Sequence, residues 1–64
     1  MTAKDFFDLG QEHRRNRRFG EAINAFRDAM TAPDATPELI SRSQASVELI
    51  QEINGFVNTD LMNP

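Results

Sequence analysis

Cysteine is absent from this sequence and histidine occurs once, as His13. No disulfide or thiolate metal site can form, and a single imidazole cannot organise a zinc site by itself. Apolar runs reach two or three residues at most, far below the roughly 18 needed to cross a bilayer. The opening stretch MTAKDFFDLG carries acids where a signal peptide needs an apolar segment, so a soluble, cytoplasmic chain is expected. The three glycines are isolated, which excludes a glycine-rich phosphate loop. No useful length alternates apolar and polar residues with period two, which leaves an all-α class.

With 64 residues the chain is one domain at most. Chains this short bury only about 60% of the surface exposed on unfolding, and a single core is marginal. Without disulfide or metal, self-association or a partner is the usual remaining source of stability. The net charge of −3 is unevenly spread: residues 1 to 31 hold six basic and five acidic side chains, whereas residues 32 to 64 hold Arg42 against five acids. That balance argues against a general nucleic-acid binder, whose affinity comes mainly from phosphate neutralisation.

Three helices can be read from the pattern. Thr2 followed three residues later by Asp5 forms a capping-box signature, and Phe6, Leu9, Gly10 and His13 then share one helical face until about Asn16. From Phe19, an apolar stripe of Phe19, Ala22, Ile23, Phe26, Ala29 and Met30 opposes Glu21, Asn24, Arg27 and Asp28. It stops in TAPDATPEL, where two prolines disfavour the α conformation at the residues before them. Thr36-Pro37-Glu38 supplies a cap, a suitable first residue and a dipole-complementing acid. The third helix carries Leu39, Ile40, Ala45, Val47, Leu49, Ile50 and Ile53, and Gly55 is a natural C-cap. Short corners make consecutive helices antiparallel.

The residues Phe6, Leu9, Gly10, His13, Phe19, Ala22, Phe26 and Ala29, followed by Pro33 and Pro37, resemble the tetratricopeptide repeat. The resemblance implies a TPR-like hairpin over about residues 3 to 36, a capping helix over about 37 to 54, and a tail over 55 to 64, all within one domain. In length and in its ending DLMNP the chain also resembles short bacterial proteins that carry a single such motif. Gly10 and Ala22 are the small residues expected at the helix crossing, with Phe6, Leu9, Phe19 and Phe26 filling the space beside it. His13 stands where the family prefers tyrosine and Arg17 where a glycine often makes the corner, so Asn16 is expected to take the left-handed conformation. Shifted by one repeat length, the pattern keeps its early apolar sites but loses Leu-Gly and the alanines. One and a half units should therefore leave apolar surface uncovered.

The resemblance implies a non-enzymatic protein-binding module, either self-associating, as in a homodimer, or binding a protein or peptide partner. Carried onto this chain, the ligand-facing positions of the first helix are Lys4, Phe7, Gln11, Arg14 and Arg15, and two arginines there could clamp a carboxylate. The alternative is an anion or nucleic-acid contact through Arg14, Arg15, Arg17 and Arg18. The blander reading of RRNRR is a helix C-terminus whose carbonyls favour cations. Phe7 lies beside the packed stripe, so helix three covers it or a partner does. His13 reads as a packing residue, since no nucleophile or ligand set accompanies it. Glu48 and Glu52, four apart, form at most a weak acidic patch. No cofactor, metal or catalytic group is expected. The tail residues Phe56, Val57, Leu61 and Met62 leave three possibilities: extension of helix three, folding back over the hairpin, or docking on a second copy.

Overall fold

Thr2 begins the first helix by satisfying donors that the helix itself leaves free. Its Oγ1 accepts from the Asp5 amide at 3.1 Å, and the Asp5 carboxylate accepts from the Thr2 amide at 3.0 Å. The bond from the Thr2 amide, and after it the Thr2 side chain, holds the Asp5 carboxyl below its ordinary pKa. The computed structural model describes residues 1–53, and within them lie α1 (Ala3–Arg15), α2 (Phe19–Thr31) and α3 (Pro37–Ile53). The class is all-α. Gly55 as a cap and the tail positions Phe56, Val57, Leu61 and Met62 lie outside the described residues.

The corner of residues 16 to 18 corrects one expectation. The Arg18 amide donates to the His13 carbonyl at 2.8 Å and the Arg17 amide to the Arg14 carbonyl at 3.0 Å, the two bonds of a Schellman motif. That geometry puts the left-handed residue second after the helix, and Arg17 takes it with φ 61°. Asn16 is the C-cap, with φ −90° and ψ 10°. Its side-chain amide donates back to the Glu12 carbonyl at 3.0 Å and the Glu12 carboxylate at 3.2 Å.

Helix α2 ends because Ala32, preceding Pro33, is extended at φ −67° and ψ 146°, as a residue before proline prefers. A turn follows in which the Ala35 amide donates to the Ala32 carbonyl. Thr36 then caps α3, its Oγ1 accepting from the Leu39 amide at 3.1 Å. Asp34 in this second corner reaches across the chain, accepting from the Ala3 amide at 2.9 Å. Along α1, Ala3 meets Asp34 of the second corner, Gly10 meets Phe26 of α2, and His13 faces Glu21 of α2.

The core is built around α2, which buries Ala22, Ile23, Ala25, Phe26 and Ala29. So broad an apolar arc is needed because α2 packs along both α1 and α3, while α1 and α3 meet only sparsely. Ala22, Ile23 and Phe26 cluster with Val47 and Ile50 of α3, and Phe7, Phe19 and Met30 pack against them. Phe26 is fully buried, its ring over Gly10.

Leu9 does not fill the crossing with α2. It is 37% exposed, because the buried line of α1 runs through Ala3 and Gly10 and Leu9 lies about 100° away from Gly10 around the helix. On α3, Ile40 (38%) and Leu49 (44%) are exposed and Ala45 faces out, while Ser43 is completely buried. The Ser43 hydroxyl has no hydrogen-bond partner among the described residues.

Gly10 and Gly20, the glycines of the described helices, should respond oppositely to alanine. A Cβ on Gly10 would stand 2.7 to 2.9 Å from three ring atoms of Phe26, whereas one on Gly20 meets nothing within 4 Å. Gly10→Ala is expected to lower stability by about 1–3 kcal/mol, and Gly20→Ala to raise it by up to about 1 kcal/mol. Urea denaturation followed by circular dichroism measures both. Ser43→Ala removes an unpaired buried hydroxyl and is expected to stabilise by about 1 kcal/mol, seen as a thermal midpoint rise of about 4–8 °C.

Candidate functional site

Phe7 is the natural starting point, because it belongs to both the core and the surface. Its ring tilts 60° against that of Phe26, with centroids 5.5 Å apart, and its remaining surface lines a groove of about 450 Å³ between α1, the second corner and the start of α3. Ala3, Lys4, Asp8, Asp34, Thr36, Leu39 and Arg42 complete the lining. Helix three thus stands across a groove from Phe7 and leaves part of it open.

The charges of this groove are mostly matched. Lys4 Nζ lies 2.9 Å from Asp8 Oδ2 one turn on, and that hydrogen bond, together with the charge of Asp8, raises the Lys4 ammonium above its ordinary pKa. Asp34 is engaged with the Ala3 amide. The Arg42 guanidinium makes no side-chain hydrogen bond or ion pair among the described residues, although the Arg42 carbonyl accepts from Ser46 at 2.9 Å. The groove therefore offers apolar walls at Phe7 and Leu39 with one uncommitted cation beside them.

Of the five ligand-facing residues expected from the sequence, only Lys4 and Phe7 line this groove. Gln11 and Arg14 are half-buried further along α1, and Arg15 is exposed. Arg15 donates to Glu12 at 2.9 Å, and this bond, ahead of the one from Asn16, holds the Glu12 carboxyl below its ordinary pKa. Arg17 and Arg18 occupy the Schellman corner, and Arg18 is the N-cap of α2 without a capping side chain.

Among the other sequence-marked positions, Ala22, Phe26 and Ala29 are buried, Phe6 and Phe19 are half-buried, and Gly10 is buried under Phe26. His13 is partly buried, with Nδ1 3.9 Å from Glu21 Oε2. Among the described residues no three of His, Cys, Asp and Glu converge, and no helix is long and apolar enough to cross a membrane.

Nothing in the sequence marks Asp34, Thr36, Leu39 and Arg42 as groove residues. Thr36 and Leu39 stood out only as a cap and an apolar position, and Arg42 only as the basic residue of an acidic half. What assembles them is the closeness of the second corner to the start of α1. The Asp34 bond to Ala3 is the visible sign of that closeness, and an acid in a corner carries no signal of so distant a partner.

Arginine at φ 61° sits in a conformation that costs an L residue with a Cβ roughly 1–2 kcal/mol. Arg17→Gly is expected to stabilise the chain by about 1 kcal/mol, measured as a shift of the denaturant midpoint without change in slope. A neutral or destabilising result would mean that the Arg17 side chain makes a compensating contact. Compared with known proteins, the chain matches no family model, no curated protein and no solved structure.

Proposed function

We propose that this chain is a non-enzymatic, cytoplasmic protein-interaction module of tetratricopeptide type, which binds a segment of a protein partner or self-associates. The observation that carries the reading is the groove at Phe7. Its apolar walls and the unpaired Arg42 suit an extended peptide that offers an apolar side chain beside an acidic one. Exposed Leu9, Ile40 and Leu49 support it, since so short a chain gains from any cover of apolar surface. The alternative, an anion or nucleic-acid contact through Arg14, Arg15, Arg17 and Arg18, draws less support, because Arg15 is already paired with Glu12 and the whole chain is acidic.

A random peptide library selected against the full chain tests the groove. Enriched peptides are expected to pair an acidic with an apolar residue. Arg42→Glu, at an exposed position, should weaken their binding by about tenfold, or about 1.4 kcal/mol. Failure to enrich any peptide, or unchanged affinity in the variant, would remove the groove from consideration.

A further inference from the structure

Opposite charges lie near one end of this molecule without pairing. The arginine corner leads directly into α2, whose first turns hold Ala22 and Ile23. Val47 and Ile50 pack in the same cluster as those residues, which brings the C-terminal half of α3 near the corner. The exposed side of that half of α3 carries Glu48, Leu49 and Glu52. Glu48 accepts only from its neighbour Gln44, at 3.0 Å, and Glu52 has no hydrogen bond or ion pair among the described residues. Leu49, beside them on this side, is 44% exposed. Across the gap, Arg17 and Arg18 likewise have no side-chain partner among the described residues, and Glu21 faces His13.

Both arginines also hold positions that local physics would give to other residues. Glycine is favoured at the left-handed seat of Arg17. A serine, threonine, aspartate or asparagine is favoured at the N-cap held by Arg18. Two locally disfavoured choices at adjacent positions leave one cationic corner, matched in charge by an acidic turn on the same chain.

We propose that the Arg17-Arg18 corner of one copy docks on the Glu48-Leu49-Glu52 turn of a second copy, forming a two-fold dimer in which each contact occurs twice. A second copy is the occupant because each chain carries both halves of the match, and a two-fold operation brings each against the other. Leu49 supplies apolar area beside the charges, and the charges set the register. The inference deepens the self-association half of the proposed function and is independent of the groove at Phe7.

Sedimentation equilibrium of the full chain tests it. A dimer is expected at low salt, with a dissociation constant that rises at least about tenfold between about 50 mM and 500 mM sodium chloride. The double variant Arg17→Glu/Arg18→Glu should be monomeric, and so should Glu48→Arg/Glu52→Arg, each with unchanged helical circular dichroism. An equimolar mixture of the two should dimerise again, since each reversed patch then meets its complement. Arg42→Glu should dimerise like the unaltered chain, which separates this result from any failure of the groove. A monomer at every concentration, salt-insensitive association, or a mixture that stays monomeric would overturn the proposal. The salt series on the unaltered chain decides the matter even if a variant fails to fold.

Discussion

The ring of Phe26 lying directly on Gly10 is the contact on which the other packing depends. Because Gly10 has no Cβ, α1 and α2 can approach until an aromatic side chain of one meets the backbone of the other. The buried ring then touches Phe7 on its α1 side and shares a cluster with Val47 and Ile50 of α3. One side chain thereby joins all three helices. A fold with few large apolar residues gains from concentrating them in this way, since the dispersion and burial energy of a single Phe is spread over three elements.

Around that centre, the helix ends do work that a larger core would otherwise do. Thr2 and Asp5 close the start of α1, Thr36 closes the start of α3, and the Schellman bonds close the end of α1. Each such device contributes on the order of 1 kcal/mol, a large share of the stability of a small domain. The start of α2 lacks one, with Arg18 at its cap position. The first corner thus closes α1 but leaves the start of α2 without a side-chain cap, and it holds the densest positive charge of the chain.

The helices were legible from the residues that end them. Thr2 with Asp5, and Thr36 with Pro37, mark starts through side-chain chemistry that acts within four residues. The stripe beginning at Phe19 is strong because α2 is covered on two sides, and the burial of Ala25 is not legible because an alanine outside the stripe says nothing about a second neighbour. The left-handed residue lies one position beyond the one composition favours: Asn16 is the better local candidate, but the backbone bonds to His13 and Arg14 count from the helix end and select Arg17. On α3, burial of Ser43 and exposure of Leu49 run against hydrophobicity, because packing against α2 and not residue type decides which face is covered. The ligand-facing set Lys4, Phe7, Gln11, Arg14 and Arg15 follows a helical line, yet the groove is made across elements, and only its first two members reach it.

The bond from the Ala3 amide to Asp34 joins residues 31 apart in sequence. It turns two helices and their corners into a closed loop. Fraying at Ala3 and displacement of Asp34 are then coupled, since either one strains or breaks that bond. Because Ala3 and Asp34 both line the groove at Phe7, either movement would change the groove's shape. The shape of the groove is thus tied to how firmly the first turn of α1 is fastened.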